Sequence, residues 1–464
     1  MHQPGRLVAF ATFAVYLALT LLAARPVTDP DLWWHVATGE LILDSGTLPR
    51  TDAWSYTVPG ARWLNHEWLA QIGMASATRA GGLALLFLLA AALIATAFAL
   101  VHVRLLRRGT PPLAATLLIA AAFSLSIPVW GARPQILTLV MLALWLLLVD
   151  RFLERDAPSL AWLVFPLVIM LWSNLHGGYA AGIGFMGLAA VGAWLDGERR
   201  RAALMLAWSI PSLLAAAIHP LGWRQLVYPL EFLRENPWTA TIVEWKKPAF
   251  TSGAFLLFEL VLLASIVLAA RVRETKPAWR DLLVFLAATH LALNHGRHVA
   301  VWGIVAIPII GTWLPGAART AWPRVAAIAA LVIALVLAPF VIVTQEAIAA
   351  NVVAQQPVAA TAALGSLGPN VRLFTQYHWA GYVLWRTEGR VRVFVDSRAD
   401  TVYPAHIARD YDAVMSADPR ALRVLADSGT NAVLLPPDAF IAGVLQQQGW
   451  RVVHRDAVAV VLAR

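Results

Sequence analysis

The chain has 464 residues, 59% of them hydrophobic and 14% charged, with 36 Lys and Arg against 27 Asp and Glu. So large an apolar share excludes an ordinary soluble domain, and the lack of any cysteine excludes disulfides and thiolate metal sites. The net charge of +9 does not require nucleic acid: between apolar spans, basic residues record which side of the membrane a loop occupies. No nucleic-acid partner is expected.

Hydrophobic runs predict a mainly α, polytopic membrane protein of about eleven transmembrane helices. They begin near Leu7, Gly82, Pro112, Gln135, Leu160, Gly178, Ala203, Ala254, Leu282, Val299 and Val325. The first run follows Arg6 and has no small-x-small cleavage site before Arg25, which favours a retained span over a signal peptide. The loops RLLRRG, DRFLERD, DGERRR, RVRETKPAWR and PGAARTAWPR are short and basic. They alternate with PVWGARP, NLHGG, NHGRH and two long loops at about 25–80 and 219–253. The basic set belongs in the cytoplasm. The N-terminus is then cytoplasmic, and both long loops and the C-terminal segment are extracytoplasmic, in a multi-pass protein of a bacterial inner membrane.

Residues 1–343 read as the membrane domain and 344–464 as a small extracytoplasmic α/β domain. In the latter, VRVFVD and NAVLLPP have the pattern of buried strands, DPRALRVLADSG is helical, and WRVVHRD with AVAVVLAR makes a terminal strand pair.

In the first long loop, DPDLWWH starts a helix: Asp29 is suited to capping free N–H groups and Pro30 to the first helical position. If the helix runs to Ser45-Gly46, Trp33, Val36, Ala37 and Leu41 share one face, while Asp31, Trp34, His35 and Thr38 share the other. The expectation is an amphipathic helix on the membrane surface with its tryptophans at headgroup level. A capped helix has no need of a second carboxylate, and Asp31 shares its face with His35, which sets it apart from Asp29. His66 and Glu67 follow in TLPRTDAWSYTVPGARWLNHEWLAQ.

An acidic start, a surface helix ending in Ser45-Gly46, then Pro49-Arg50 and a return to the membrane resemble the first outer loop of the GT-C fold glycosyltransferases. The likeness is to the protein O-mannosyltransferase and lipid A aminoarabinose transferase branch, and about fifty residues carry it. It implies transfer from a polyprenyl-phosphate sugar to a lipid, glycan or protein acceptor, with Asp31 as catalytic base. A divalent cation, Mg or Mn, is the cofactor in view, with Asp31 and Glu67 as its candidate ligands. Two features depart from the family: Asn65-His66-Glu67-Trp68-Leu69 replaces a basic-Pro-Pro-Leu element, and the next outer loop offers Arg133 in place of a second acidic residue.

Charges near the hydrocarbon are functional candidates because they are costly there. Glu259 stands in FLLFELVLL, while NHGRH brings His295, Arg297 and His298, with His290 a turn below. Together with His35, His66, Glu67 and Arg133 these form the candidate substrate-binding set, Glu259 orienting a cationic pocket for the donor phosphate. Buried ion pairing that fixes helix packing is the competing role, and packing is the expected role of His176. Arg224, Lys246 and Lys247 mark an interfacial second loop, and Asp396, Arg398 and Asp400 are candidate acceptor contacts. Two other functions fit the composition, a transporter or flippase of a lipid-linked or anionic solute and an inactive GT-C scaffold. Against the transporter stands the absence of inverted repeats in the sequence.

Overall fold

The computed structural model describes residues 4–24, 29–154, 159–232, 238, 242–251, 253–271, 277–314 and 345–464. The helices in chain order are α1 (Pro4–Ala23), α2 (Pro30–Ser45), α3 (Trp68–Arg107), α4 (Pro112–Ser126), α5 (Gln135–Glu154), α6 (Val164–Leu175), α7 (Tyr179–Leu195), α8 (Arg199–Ala215), α9 (Arg224–Phe232), α10 (Gly253–Arg271), α11 (Trp279–Asn294) and α12 (His298–Thr312). A helix stands at each expected span except the one from Val325, which lies outside the described residues. Among the described residues, four helical stretches, Trp68–Arg107, Pro112–Val129, Gln135–Glu154 and Gly253–Arg271, are long and apolar enough to cross a bilayer; others are apolar but shorter.

Aromatic side chains fill the helical core, with Phe98, Phe123, Trp145, Trp172 and Trp302 fully buried. At one end of the bundle, Asp150 accepts from Arg104 (2.8 Å) and Arg108 (2.9 Å), and Arg108 also bonds Asp281 (2.7 Å). These ion pairs tie α3, α5 and α11. Gly81 and Gly82 break α3 near the expected start of its span, Gly82 having a φ of 67°, a backbone state that favours glycine.

The expected surface helix is in fact an interior one. In α2, Leu32, Trp33, Trp34, His35, Val36, Thr38, Gly39 and Ile42 are buried. A Cβ on Gly39 would stand 2.0 Å from the Gln71 carbonyl oxygen, so only glycine lets α2 cross α3 this closely. The tryptophans reach protein rather than headgroups: Trp33 packs against Tyr382 and Trp385, both at 5.0 Å between ring centroids, while Trp34 and Trp63 sit 6.3 Å apart.

The C-terminal segment contributes α13 (Gln345–Gln355), α14 (Val358–Ala363), α15 (Tyr377–Arg386), α16 (Ala405–Met415), α17 (Ala421–Asp427) and α18 (Phe440–Gln447). Its strands are β1 (Arg372–Thr375), β2 (Arg392–Val393), β3 (Ala432–Leu435), β4 (Arg451–Arg455) and β5 (Val460–Ala463). The mixed five-stranded sheet has the order β2-β1-β3-β5-β4. Strand β1 runs parallel to β2 and β3, and β5 runs antiparallel to β3 and β4. Apolar side chains on β3 and β5 are buried throughout, as their sequences foretell; VRVFVD yields only the two-residue β2.

A buried polar lock joins this segment to the first long loop. Arg398 is fully buried and donates to Asp52 (2.6 Å) and to both oxygens of Asp396 (2.8 and 2.7 Å). Its guanidinium lies over the rings of Trp54 (4.9 Å) and Trp63 (4.6 Å). Burial would lower Arg398, but Asp396, Tyr403 and Asp52 hold it well above its ordinary value. Asp396 and Arg398, expected as acceptor contacts, are thus spent on joining two parts of the chain; the Asp400 side chain lies outside the described residues. Replacing Arg398 by Met leaves two buried carboxylates unpaired and should destabilise this seam by about 3–5 kcal/mol. A lower melting temperature and faster proteolysis of the C-terminal segment would show it; an unchanged melting temperature would refute the lock.

Candidate active site

The site begins at the N-terminus of α2. Asp29 caps the helix, its Oδ1 accepting from the Asp31 backbone N–H at 2.9 Å, as the DPD pattern requires. Asp29 does a second job, because its Oδ2 lies 3.3 Å from Arg133 Nε. Arg133 reaches it from the α4–α5 connection, where a Cβ on Gly131 would come 2.3 Å from the same Asp29 oxygen. Glycine is what allows that approach.

Asp31 points into the same place. Its Oδ1 accepts from Trp34 Nε1 at 3.2 Å and its Oδ2 from Arg133 Nη1 at 3.3 Å. Arg133 also donates to Glu244, which lies in a 3₁₀ turn of the second long loop (Val243–Trp245). Glu244 in turn pairs with Arg297 at 3.2 Å, and its backbone carbonyl accepts the Arg297 N–H at 3.0 Å. The Arg297 guanidinium stacks on the Trp245 ring at 4.5 Å, a cation–π contact. His295 Nδ1 donates to the Trp245 carbonyl at 2.8 Å, and His298 meets the Trp245 ring edge-on at 5.7 Å.

Three carboxylates (Asp29, Asp31, Glu244) thus surround two guanidiniums (Arg133, Arg297), an excess of negative charge. Burial, then the neighbouring Asp29 charge, raises Asp31 to about 6 against the opposing pull of Arg133. Glu244 goes the other way: burial would raise it, but Arg297 and Arg133 hold it below the ordinary carboxylate range. Burial lowers Arg297, and Glu244 partly offsets this. Ser397 of the C-terminal segment also faces Asp31, its hydroxyl oxygen buried and outside hydrogen-bond geometry with any partner among the described residues.

Behind α2 a second cluster surrounds Glu67, with His35 at 3.6 Å, His66 at 3.7 Å and His176 at 3.5 Å. Asn65 donates to Gln71 Oε1 (2.9 Å), which leaves the Gln71 amide nitrogen to donate to His35 Nδ1 (3.3 Å). His176 Nδ1 accepts from the Gly178 N–H (2.9 Å) and takes a bond from Thr138 (2.8 Å). Both rings therefore turn an Nε2–H toward Glu67. Burial holds His35 and His176 well below the usual histidine range and His66 at about 4, so these rings are neutral at pH 7. The Nε2–H groups of His35 and His176 offer no lone pair to a cation and Asp31 faces a guanidinium, whereas His66 gives its Nδ1–H to the Leu64 carbonyl (3.3 Å) and keeps a lone pair on Nε2. Among the described residues, no group of three or more His, Asp or Glu is arranged to hold a metal ion. The residues named for Mg or Mn do not fit that role.

Of the candidate set, the structure brings Asp31, Arg133 and Arg297 into one ion-paired cluster, with His298 behind Arg297. His35, His66 and Glu67 form the second cluster. Glu259 joins neither. It is half-buried on α10 and has no hydrogen bond or ion pair among the described residues, although Phe255, one turn away, reaches Gly296. The carboxylate that orients Arg297 is Glu244, which sequence reasoning missed. Its signal was the VEWKKP stretch, where the lysines drew attention and both are exposed.

The fold places this cluster among known proteins. The chain aligns with the archaeal oligosaccharyltransferase AglB of Archaeoglobus fulgidus, in complex with an inhibitory peptide and a dolichol-phosphate, at a TM-score of 0.62 and 12% identity over 93% of this chain and 69% of that one. It aligns almost end to end with ArnT of Cupriavidus metallidurans bound to undecaprenyl phosphate, at a TM-score of 0.55 and 14% identity over 100% and 98% of the two chains. The fold is that of the GT-C glycosyltransferases. AglB has also been solved in complex with Zn and sulfate, at a TM-score of 0.50 to this chain, with 13% identity over 92% of this chain and 68% of that one. No protein-family model matches the sequence, and no curated protein does.

Proposed function

We propose that the chain is an integral membrane glycosyltransferase that moves a sugar from a polyprenyl-phosphate donor to a lipid, glycan or protein acceptor. The reaction takes place at the outer face of a bacterial inner membrane, with the N-terminus cytoplasmic and the C-terminal domain, residues 344–464, outside. One observation carries the reading: a carboxylate raised toward neutral pH at a capped helix start, beside the guanidiniums of Arg133 and Arg297, in a GT-C fold.

Asp31 acts as general base. The acceptor O–H proton passes to its carboxylate as the acceptor oxygen bonds to the anomeric carbon. The sugar–phosphate C–O bond breaks on the opposite face, so the configuration inverts. The leaving oxygen takes the electron pair and becomes part of the lipid phosphate. A base with a pKa of about 6 suits this work at neutral pH, being both ionised and adequately basic. The leaving phosphate needs fixed positive charge. Arg297 suits it best, because Glu244 and Trp245 hold the guanidinium in place while other N–H donors are left for a phosphate oxygen. Arg133 serves from further inside. His35, His66 and Glu67 support α2 from behind, His298 supports Trp245, and Glu259 receives no role.

Asp31→Asn keeps size and polarity but removes the base, so transfer should fall by about 10²-fold or more while undecaprenyl phosphate still binds. Full activity in that variant would sink the assignment. Wild-type transfer should decline as pH drops through about 6, where the base becomes protonated. Asp29→Asn keeps a capping oxygen but removes a negative neighbour that raises Asp31, so the acid limb of the pH–rate profile should move to lower pH. A shift to higher pH would contradict the electrostatics.

Sidedness is checked with single cysteines in this cysteine-free chain, at the exposed positions Arg200 and Arg420. An impermeant maleimide should label position 420 in intact spheroplasts and position 200 only after permeabilisation. The reverse pattern would overturn the orientation.

A further inference from the structure

Ser397 is the buried polar group at the site that the transfer step leaves without work. Its backbone has little choice of position. Upstream, the Val393 N–H bonds the Trp54 carbonyl (3.0 Å) and the Phe394 carbonyl accepts the Thr57 hydroxyl (2.6 Å). On either side of Ser397 stand Asp396 and Arg398, locked to each other and to Asp52. Downstream, the Leu64 N–H bonds the Thr401 carbonyl at 3.0 Å. Residues 393–401 are therefore laced to the first outer loop, and Ser397 lies in the middle of that stretch.

Its hydroxyl oxygen is buried yet outside hydrogen-bond geometry with any partner among the described residues. Buried hydroxyls are ordinarily satisfied, and leaving one unpaired is unfavourable. The group it faces is Asp31, which is itself loosely held: its bonds to Trp34 and Arg133 are 3.2 and 3.3 Å, and 27% of its side chain is exposed. The other charged groups facing Asp31 are Asp29, Arg133, Glu244 and Arg297, and each has a partner already.

We propose that Ser397 is a positioning residue for transfer: with acceptor bound, its hydroxyl donates to the Asp31 carboxylate and aims it at the acceptor O–H. An ionised carboxylate only accepts, so the donor in this bond is Ser397. Once Asp31 has taken the acceptor proton, the serine hydroxyl can rotate and accept in its turn. The C-terminal segment would thereby complete the base. This inference rests on the reading of Asp31 as the base.

The test compares Ser397→Ala, Ser397→Thr and Asp31→Asn in the full-length purified protein. Transfer is measured from radiolabelled undecaprenyl-phosphate hexoses and pentoses to acceptors in an envelope extract, with undecaprenyl phosphate alone as the binding probe. Ser397→Ala should lower kcat about tenfold, the scale of one hydrogen bond to a charged group. Acceptor KM, undecaprenyl phosphate binding and melting temperature should stay near wild type, and Ser397→Thr, which keeps the hydroxyl, should recover most of kcat. Wild-type kcat in Ser397→Ala, with Asp31→Asn inactive, would overturn the role of Ser397 and leave the base intact. A fall in both serine variants together with the melting temperature would show a packing residue only and overturn the proposal equally. Full activity in Asp31→Asn would instead remove the base assignment on which it stands.

Discussion

The arrangement of the site depends on one buried guanidinium. Arg133 meets Asp29, Asp31 and Glu244 through three different nitrogens. A planar fork with five donors can serve several carboxylates at once, whereas a lysine would present a single point charge. Buried charges persist only when paired, so this contact fixes the start of α2, the α4–α5 connection and the second long loop against one another. Neutralisation is incomplete, because Arg133 and Arg297 face three carboxylates. The residual negative charge, added to burial, is what lifts Asp31 toward neutral pH. Holding the elements together and raising Asp31 are one electrostatic balance.

The rest of the molecule keeps that balance in place. Helix α2 is gripped from two sides, by α3 at Gly39 and by α15 at Gly381, where a Cβ would stand 3.1 Å from the Pro30 carbonyl oxygen. Trp33, Tyr382 and Trp385 fill the contact between α2 and α15, and large buried aromatics of this kind contribute much of the apolar stabilisation of an interface. The Asp52–Arg398–Asp396 lock closes the same seam in a polar manner. The helix that carries Asp31 is thereby fixed, while the carboxylate itself has only the long bonds to Trp34 and Arg133.

Local chemistry was legible without the fold. Asp29 and Pro30 announced a capped helix start, and Gly46 its end, with the left-handed φ of 66° that a C-terminal glycine supplies. Hydropathy located the helices, and buried β3 and β5 followed from apolar runs of strand length. The solvent exposure of α2 was not legible, because an amphipathic pattern states that a helix has two faces and not what covers them. Both faces of α2 meet protein. For the same reason VEWKKP resembled an interfacial anchor, although its glutamate carries the ion pairs and its lysines stand outside. Glu259 looked functional because a carboxylate in an apolar helix is costly, but cost alone does not name a partner.

By itself the sequence determined the membrane class, the order of the helices and the cap, since all three depend on composition or on residues within a few positions of each other; Asp31 was singled out by likeness to the first outer loop of the GT-C fold. The tertiary structure alone decided that Arg133, Glu244 and Arg297 gather around that carboxylate, that His35 and His176 turn an N–H toward Glu67, and that Ser397 reaches the site from the far end of the chain. Most of those contacts join segments separated by tens of residues, and those of Arg133 with Asp31 and Glu244 by more than a hundred, while hydrogen bonds and ion pairs act only at a few ångströms. No pattern along the chain encodes which distant polar groups the packing of the helices will bring within that range.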